Sequence, residues 1–135
     1  KAAAIMADEL NALLHLQAGY TDEALRLLDQ AAAAEEALPF DFGPPMPVKP
    51  SHELYGEVLL ELGRAEEARA HFEAALARAP RRARSLLGLA RAARQAGDLE
   101  TARYVYADLA AAWHRADEDV PERSEVINAA EAGTR

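Results

Sequence analysis

The chain repeats itself at a spacing of 34 residues, and this internal period limits its possible folds more than any other feature. A shift of 34 residues aligns Gly63 with Gly97. The same shift aligns Phe72 with Tyr106. A shift of 44 residues aligns Gly19 with Gly63, so ten extra residues separate the first copy from the second. Periods of about 20 to 50 residues are typical of solenoids, in which each repeat buries its apolar face only by stacking on a neighbour.

Two helical patterns fill each copy of the period. Apolar side chains three or four residues apart, such as Leu54 and Val58, form one stripe along a helix. Gly19, Gly63 and Gly97 each follow such a stripe, at the point where the left-handed conformation that ends a helix favours glycine. The pattern predicts six helices, at residues 3–18, 21–37, 50–62, 65–79, 82–96 and 99–115.

Polar residues mark where some of these helices begin. Asp98 and Thr21 stand at helix starts, where a side-chain oxygen can accept a hydrogen bond from a free backbone amide. Beyond Pro121 the segment ERSEVINAAEAG is polar apart from one Val-Ile pair. A solenoid needs a terminal element with a polar outer face, so this segment predicts a seventh helix that caps the last repeat.

The best copy of the period, residues 49–82, resembles the tetratricopeptide repeat. The residues that carry the resemblance are Tyr55, Gly56, Leu59, Gly63, Ala68, Phe72, Ala75 and Pro80. His52 stands where the family usually has tryptophan. The resemblance implies an all-α fold, a right-handed α-α superhelix of about three helix-turn-helix repeats with a C-terminal capping helix. The composition agrees, because a chain with only 6% aromatic residues and many alanines suits closely packed helices.

The resemblance also implies a division of the chain. We expect a single domain with repeats at about 5–38, 49–82 and 83–116, a proline-rich insert at 39–48, and a capping helix and tail at 117–135. We expect the chain to be a fragment of a longer protein, because it begins at Lys1 rather than at a methionine. The proline-rich run also resembles segments of bacterial repeat proteins of unassigned role, and this second resemblance implies no activity.

The composition argues against several classes of function. The net charge of −8 argues against general nucleic-acid binding, because that binding depends on neutralising phosphates. The chain has no cysteine, so it can form neither a disulfide nor a thiolate metal site. No apolar run reaches the roughly 20 residues that span a bilayer. We favour a cytoplasmic location, and export stays open because a leader could precede Lys1.

The segment HELYGE, at residues 52–57, begins like the helix of a zinc protease. That helix needs His-Glu-x-x-His, but residue 56 is glycine, so the second imidazole ligand is absent. We expect His52 to pack or to lie at a helix end, His71 to lie on an exposed helix flank, and His15 and His114 to lie near inter-helix contacts. The sequence has neither a nucleophile elbow nor a phosphate loop, and it predicts no catalytic site, no metal and no other cofactor.

The ten-residue insert combines prolines with large apolar side chains. Its prolines favour an extended segment and forbid a helix. Phe40, Phe42 and Met46 give it apolar surface to bury. Two hypotheses stay open: the insert covers the seam between the first two repeats, or it is an arm that reaches a partner.

The family resemblance also implies a binding surface. In such repeats the first helices line the concave face, where partners commonly bind. Carried over to this chain, the lining positions are Glu53, Glu57, Leu60, Glu61, Arg84, Leu87, Arg91 and Arg94. They form an acidic stripe beside a basic one. Alternatively, the two stripes pair with each other across the repeats, with each exposed pair contributing about 0–1 kcal/mol.

Two functional hypotheses follow from the resemblance. The first is a non-catalytic protein-protein interaction module that binds a peptide or a protein surface through the concave face. The second is a structural or oligomerisation domain that packs against a missing part of a larger protein, such as an enzyme or a regulator. In both, the partner is a protein or peptide rather than nucleic acid or membrane, and the chain is a monomer or a weak homodimer.

Overall fold

The computed structural model describes residues 1–39, 49–115 and 119–133, which form helices joined by short turns. The helices are α1 (Ala2–Gln17), α2 (Thr21–Glu36), α3 (Ser51–Glu61), α4 (Ala65–Arg78), α5 (Ala83–Gln95), α6 (Leu99–Trp113) and α7 (Pro121–Gly133). The prediction of an all-α fold is confirmed, and each of the first six helices ends within two residues of its predicted bounds.

The helices stack in chain order, as expected for a solenoid. Each helix contacts the next one along the chain, from α1 to α7. In addition, α1 contacts α3 and α3 contacts α5, so the first helices of successive pairs form a row. The second helices α2 and α4 each contact two members of this row, and α6 contacts its last member, α5.

Glycine ends the first helix of each pair, as the sequence predicts. Gly19, Gly63 and Gly97 have positive φ angles of 87°, 78° and 87°. At the last of these turns the amide of Asp98 donates to the carbonyl of Ala93, and the amide of Gly97 donates to the carbonyl of Arg94. This bond pair is the Schellman motif, which a residue with a Cβ atom adopts only under strain.

One of the two predicted helix caps is present. Asp98 precedes α6, and its Oδ1 atom accepts a hydrogen bond of 3.0 Å from the backbone amide of Thr101. The prediction for Thr21 is wrong, because Thr21 is the first residue inside α2 and Tyr20 takes the capping position without a side-chain bond. Asp98 also binds Arg69 at 2.8 Å, and this ion pair links α4 to α6.

The core is centred on the ring of Phe72, which is fully buried between two glycines. A Cβ atom at Gly56 on α3 would lie 2.9 Å from this ring. A Cβ atom at Gly88 on α5 would lie only 2.2 Å from it. Gly56 follows from the repeat pattern, whereas Gly88 lies two residues before the equivalent position, Ala90, and is not predicted by it.

The C-terminal helix closes the core as a cap. Val126 of α7 has no exposed surface and joins the same hydrophobic cluster as Phe72, Tyr106 and Leu109. A smaller cluster, which includes Ala12 and residues of α2 and α3, fills the junction between the first two helix pairs. The helical part of the predicted capping segment is therefore Pro121–Gly133.

The described residues do not include the proline-rich insert. Phe40, Phe42 and Met46 lie outside them, so both hypotheses about the proline-rich insert stay predictions. Within the described ranges, none of the helices combines the length and the apolarity that crossing a bilayer requires.

Candidate functional site

Glu53, the first residue of the predicted acidic stripe, lies inside the protein. Its side chain has no exposed surface. Its Oε2 atom accepts hydrogen bonds of 2.6 Å from Arg82 and 2.5 Å from Ser85, and its Oε1 atom accepts a third from Arg82 at 3.0 Å. In this structure Glu53 therefore joins α3 to the start of α5 and offers no surface to a partner.

The partners of Glu53 keep it charged. Burial by itself would raise the pKa of this carboxyl group, but the hydrogen bonds from Arg82 and Ser85 favour the carboxylate, and the pKa lies below its usual value. A buried carboxylate that is bonded in this way stabilises one arrangement of the two helices.

A second glutamate occupies the equivalent place one repeat earlier. Ser51 donates from its hydroxyl group to Oε1 of Glu9 at 2.7 Å, and the backbone amide of Ser51 donates to Glu35 at 2.5 Å. Among the residues that the structure describes, no arginine is recorded as bonded to this buried carboxylate. Burial raises the pKa of Glu9, the bond from Ser51 opposes the shift, and the charge of Glu35 adds to it.

The two glutamate-serine pairs follow the register of the repeats. Glu9 and Glu53 are 44 residues apart, and Ser51 and Ser85 are 34 residues apart, as the two sequence periods require. This coincidence in the sequence could have identified both pairs. The third repeat has Leu87 in place of the glutamate, so the series ends at α5.

The rest of the predicted acidic stripe is accessible. Glu57 is half-buried and forms an ion pair of 2.5 Å with Lys49. Leu60 is half-buried and packs against the main core cluster. Glu61, at the end of α3, is exposed. The open part of α3 is thus its C-terminal half.

The predicted basic stripe on α5 is engaged by the capping helix. Arg91 binds Glu125 through two nitrogens, with Nε 2.9 Å from Oε1 and Nη2 2.5 Å from Oε2. Arg94 lies 3.8 Å from the same carboxylate, and Arg84 lies 3.7 Å from Glu122. The alternative hypothesis, that the two predicted stripes pair with each other, is therefore wrong for these three arginines, because they contact acidic residues of α7.

The predicted positions on α5 differ in their exposure. Leu87 is 3% exposed and belongs to the core, so it offers no surface to a partner in this structure. The side chains of Arg84 and Arg94 are 61% and 54% exposed, so their ion pairs leave most of each side chain accessible. Helix register alone does not show which of these three positions is buried.

Glu125 also binds the side chain of Tyr106 on α6. The hydroxyl group of Tyr106 donates to Oε1 of Glu125 at 2.8 Å. Burial, this bond and the charge of Glu125 raise the pKa of Tyr106 to about 12. Arg94 lies over the ring of Tyr106, with the guanidinium carbon 5.5 Å from the ring centroid. The contacts fix α7 on α5 and α6.

Two histidines that the sequence separates by 19 residues meet in the structure. The Nδ1 atoms of His52 and His71 lie 2.9 Å apart, and Nε2 of His52 lies 2.7 Å from Oε1 of Glu36. The ring of His71 packs on the ring of Tyr55, with 3.9 Å between their centroids. The prediction that His71 lies on an exposed helix flank is wrong, because its side chain is partly buried against His52 and Tyr55. Burial and, to a smaller extent, the charge of His52 lower the pKa of His71.

The geometry of this histidine pair fits a hydrogen bond better than a metal ion. Zinc binds imidazole nitrogens at about 2.0–2.1 Å, so a tetrahedral ion between two of them would hold them about 3.3 Å apart. The observed 2.9 Å is the distance of an N–H···N bond. Among the described residues, no group of three or more histidine, cysteine or acidic side chains is placed to hold a metal ion.

The remaining histidines take no part in this cluster. His15 packs edge to face on Tyr20, with 6.0 Å between the ring centroids. His114 is exposed at the end of α6, where its Nδ1 atom lies 2.9 Å from the carbonyl of Ala111; the described residues give it no contact with a second helix.

Comparison with known proteins gives one match. Residues 55–118 match the model of a family described as tetratricopeptide repeat. The matched segment begins in α3 and ends beyond α6, so it includes α4, α5 and α6 completely. No curated protein and no solved structure gives a significant match.

Proposed function

We propose that this chain, whose residues 55–118 match a tetratricopeptide repeat family, binds a peptide or a protein surface along the row formed by α1, α3 and α5. Repeats of this family are generally protein-interaction modules and are typically not catalytic. Stacked helix pairs create an extended surface along their first helices. The proposal assigns the binding role to this surface and no reaction to the chain.

The observation that carries the proposal is the charge left accessible on this row. Glu57 and Glu61 on α3 form its acidic part. Arg84 and Arg94 on α5 form its basic part, and most of each side chain is accessible. Glu53 and Leu87 are excluded from the surface by burial, and Arg91 is held by α7.

The accessible charges suggest the chemistry of the partner. A peptide that lies across α3 would place a basic side chain against Glu61, which is exposed. Leu60 beside it offers apolar contact, because it is only half-buried. Charge pairs at such a surface steer association and favour one partner over another, so binding should weaken as salt increases.

A charge reversal on this row tests the proposal. Immobilised wild-type protein and a Glu61→Lys variant are incubated with the same cell extract, and the retained proteins are compared. Glu66→Lys is the matched control, because Glu66 is also exposed but lies on α4, outside the row. We expect Glu61→Lys to lose the proteins that the wild type and Glu66→Lys retain, with all three giving the same circular dichroism spectrum. Equal retention by all three would contradict the proposal.

A further inference from the structure

The first helix carries an apolar seam that nothing in the described structure covers. Its members are Ala3, Met6, Leu10, Leu13 and Gln17, and we call them the outer seam of α1. All five are exposed, and Met6, Leu10 and Leu13 have 45%, 59% and 40% of their surface accessible. Leu14, beside the seam, is 55% exposed. The other large exposed apolar side chains in the described residues do not form a comparable row along one helix.

The spacing of the outer seam is that of a helix-helix interface. Its residues are separated by three, four, three and four positions, the heptad pattern that packs one helix against another. A second stripe on the same helix, Ile5, Glu9 and Ala12, is buried in the protein. The helix therefore has two packing faces, and the described part of the chain covers only one of them.

The charges of α1 are turned away from the outer seam. Asp8 accepts a hydrogen bond of 3.1 Å from Gln30 of α2. Glu9 is buried and accepts a bond from Ser51 of α3. The seam itself has no ionisable side chain. A second copy of a chain with a net charge of −8 would meet repulsion at most surfaces, but it brings no like charges together at this one.

We propose that two copies of this chain pair through the outer seams of their α1 helices, about a two-fold axis. A heptad seam is complementary to another seam of the same kind, and a two-fold axis lets one patch serve both sides of an interface. The pairing occupies the exposed face of α1, the first helix of the proposed binding row, and leaves the accessible charges of α3 and α5 free for a partner.

The charge at the start of α1 favours an antiparallel pair. Antiparallel α1 helices oppose their dipoles, and each Lys1 side chain then lies near the carbonyl end of the other helix, where a positive charge is favourable. In the register that layers Leu10 on Leu13 of the partner subunit, Met6 lies opposite Gln17 of the partner subunit. The four leucines form the centre of the interface.

Mass as a function of concentration tests the pairing. Sedimentation equilibrium of the 14.6-kDa chain over about 1 to 300 µM should show a shift towards twice that mass. The double variant Leu10→Glu/Leu13→Glu should stay monomeric, which corresponds to a dissociation constant at least about tenfold higher. Leu99→Glu is the control, because Leu99 is 53% exposed on α6, outside the seam, and should dimerise like the wild type. Circular dichroism checks that each variant is folded.

Disulfide formation tests the orientation, since the wild-type chain has no cysteine. In an antiparallel pair, an equal mixture of Leu10→Cys and Leu13→Cys should cross-link at least about tenfold faster than either variant alone. Faster cross-linking of each variant with itself would contradict the antiparallel arrangement. A wild type that is monomeric at all concentrations, or a Leu10→Glu/Leu13→Glu variant that still dimerises, would overturn the proposal and leave the seam to a helix outside this chain.

Discussion

At the scale of the residue, the packing of the second and third helix pairs depends on the Phe72 ring and the two glycines that face it. Gly56 and Gly88 allow α3 and α5 to approach this ring closely. Substituting alanine for glycine within a helix gains roughly 1 kcal/mol of intrinsic propensity, whereas overpacking a core loses about 1–3 kcal/mol. The distance from the added Cβ atom to the ring decides which effect is larger.

We therefore expect Gly88→Ala and Gly56→Ala to differ. Gly88→Ala should lower the free energy of unfolding by about 1–3 kcal/mol, because its Cβ atom would lie 2.2 Å from the ring. Gly56→Ala should lower it by less, because its Cβ atom would lie 2.9 Å from the ring and a smaller shift relieves that contact. Urea denaturation measures both, and Phe72→Leu should partly rescue Gly88→Ala in a double-mutant cycle. Equal effects of the two alanines would contradict this account of the core.

The two buried glutamates should respond to pH with opposite signs. The pKa of Glu53 is lowered, so Glu53 stabilises the fold above its unfolded pKa of about 4.3, and this contribution is lost as pH falls through the folded pKa. The pKa of Glu9 is raised, so its carboxylate destabilises the fold above the folded pKa, and the effect vanishes below about pH 4.3.

Glutamine variants measured by urea denaturation at two pH values separate these effects. Near pH 7, Glu53→Gln should lower the free energy of unfolding by about 2–3 kcal/mol, because it weakens a charge-assisted bond network. Glu9→Gln should raise the free energy of unfolding near pH 7 and should leave it unchanged near pH 4. A Glu9→Gln variant as unstable as Glu53→Gln near pH 7 would show that the bond from Ser51 outweighs burial.

The histidine pair gives another prediction at this scale. An N–H···N bond between His52 and His71 requires one ring to accept, so the two rings cannot both be cationic while the bond persists. Asp29, Glu36 and Glu67 surround the pair and moderate the effect without reversing it. In an NMR titration we expect His71 to protonate below the usual value of about 6.5. Protonation of His71 at or above that value would rule out the bonded pair.

At the scale of the element, the sequence predicts helices well because the signals that define them are local. Glycine with positive φ ends α1, α3 and α5 wherever it stands at the right point of the period. Asp98 directly follows Gly97 and caps α6, whereas Thr21 stands two residues after Gly19, one position too late to cap α2. The binding positions were harder to predict, because helix register does not show whether a neighbouring repeat supplies an arginine to bury a glutamate, as Arg82 does for Glu53.

The capping helix α7 should behave as a separate stabilising element. In a stacked array each unit contacts only its neighbours, so loss of the cap should loosen the adjacent helices first. Val126→Asp places a charge in the buried contact with α6. Hydrogen exchange should become faster in α6 and α5 and should change little in α1 and α2. Uniformly faster exchange along the chain would show that the array unfolds as one unit.

At the scale of the whole molecule, different surfaces of the chain have different roles. The buried acids Glu9 and Glu53 join successive repeats, α7 closes the C-terminal end, and the outer seam of α1 is proposed to pair two copies. The accessible charges of α3 and α5 are proposed to bind a partner. A binding module keeps part of the surface of its first helices accessible, whereas a domain that only packs on itself covers that surface.

Carboxyl footprinting of the complex with a captured partner tests the central claim most directly. Free and partner-bound protein are labelled with a carbodiimide, and the modification of each glutamate is compared by mass spectrometry. Glu61 on α3 and Glu66 on α4 are both exposed in the free chain, so they form a matched pair. The account predicts that the partner protects Glu61 and leaves Glu66 labelled. Protection of Glu66 with Glu61 still labelled would place the partner outside the row and contradict the account.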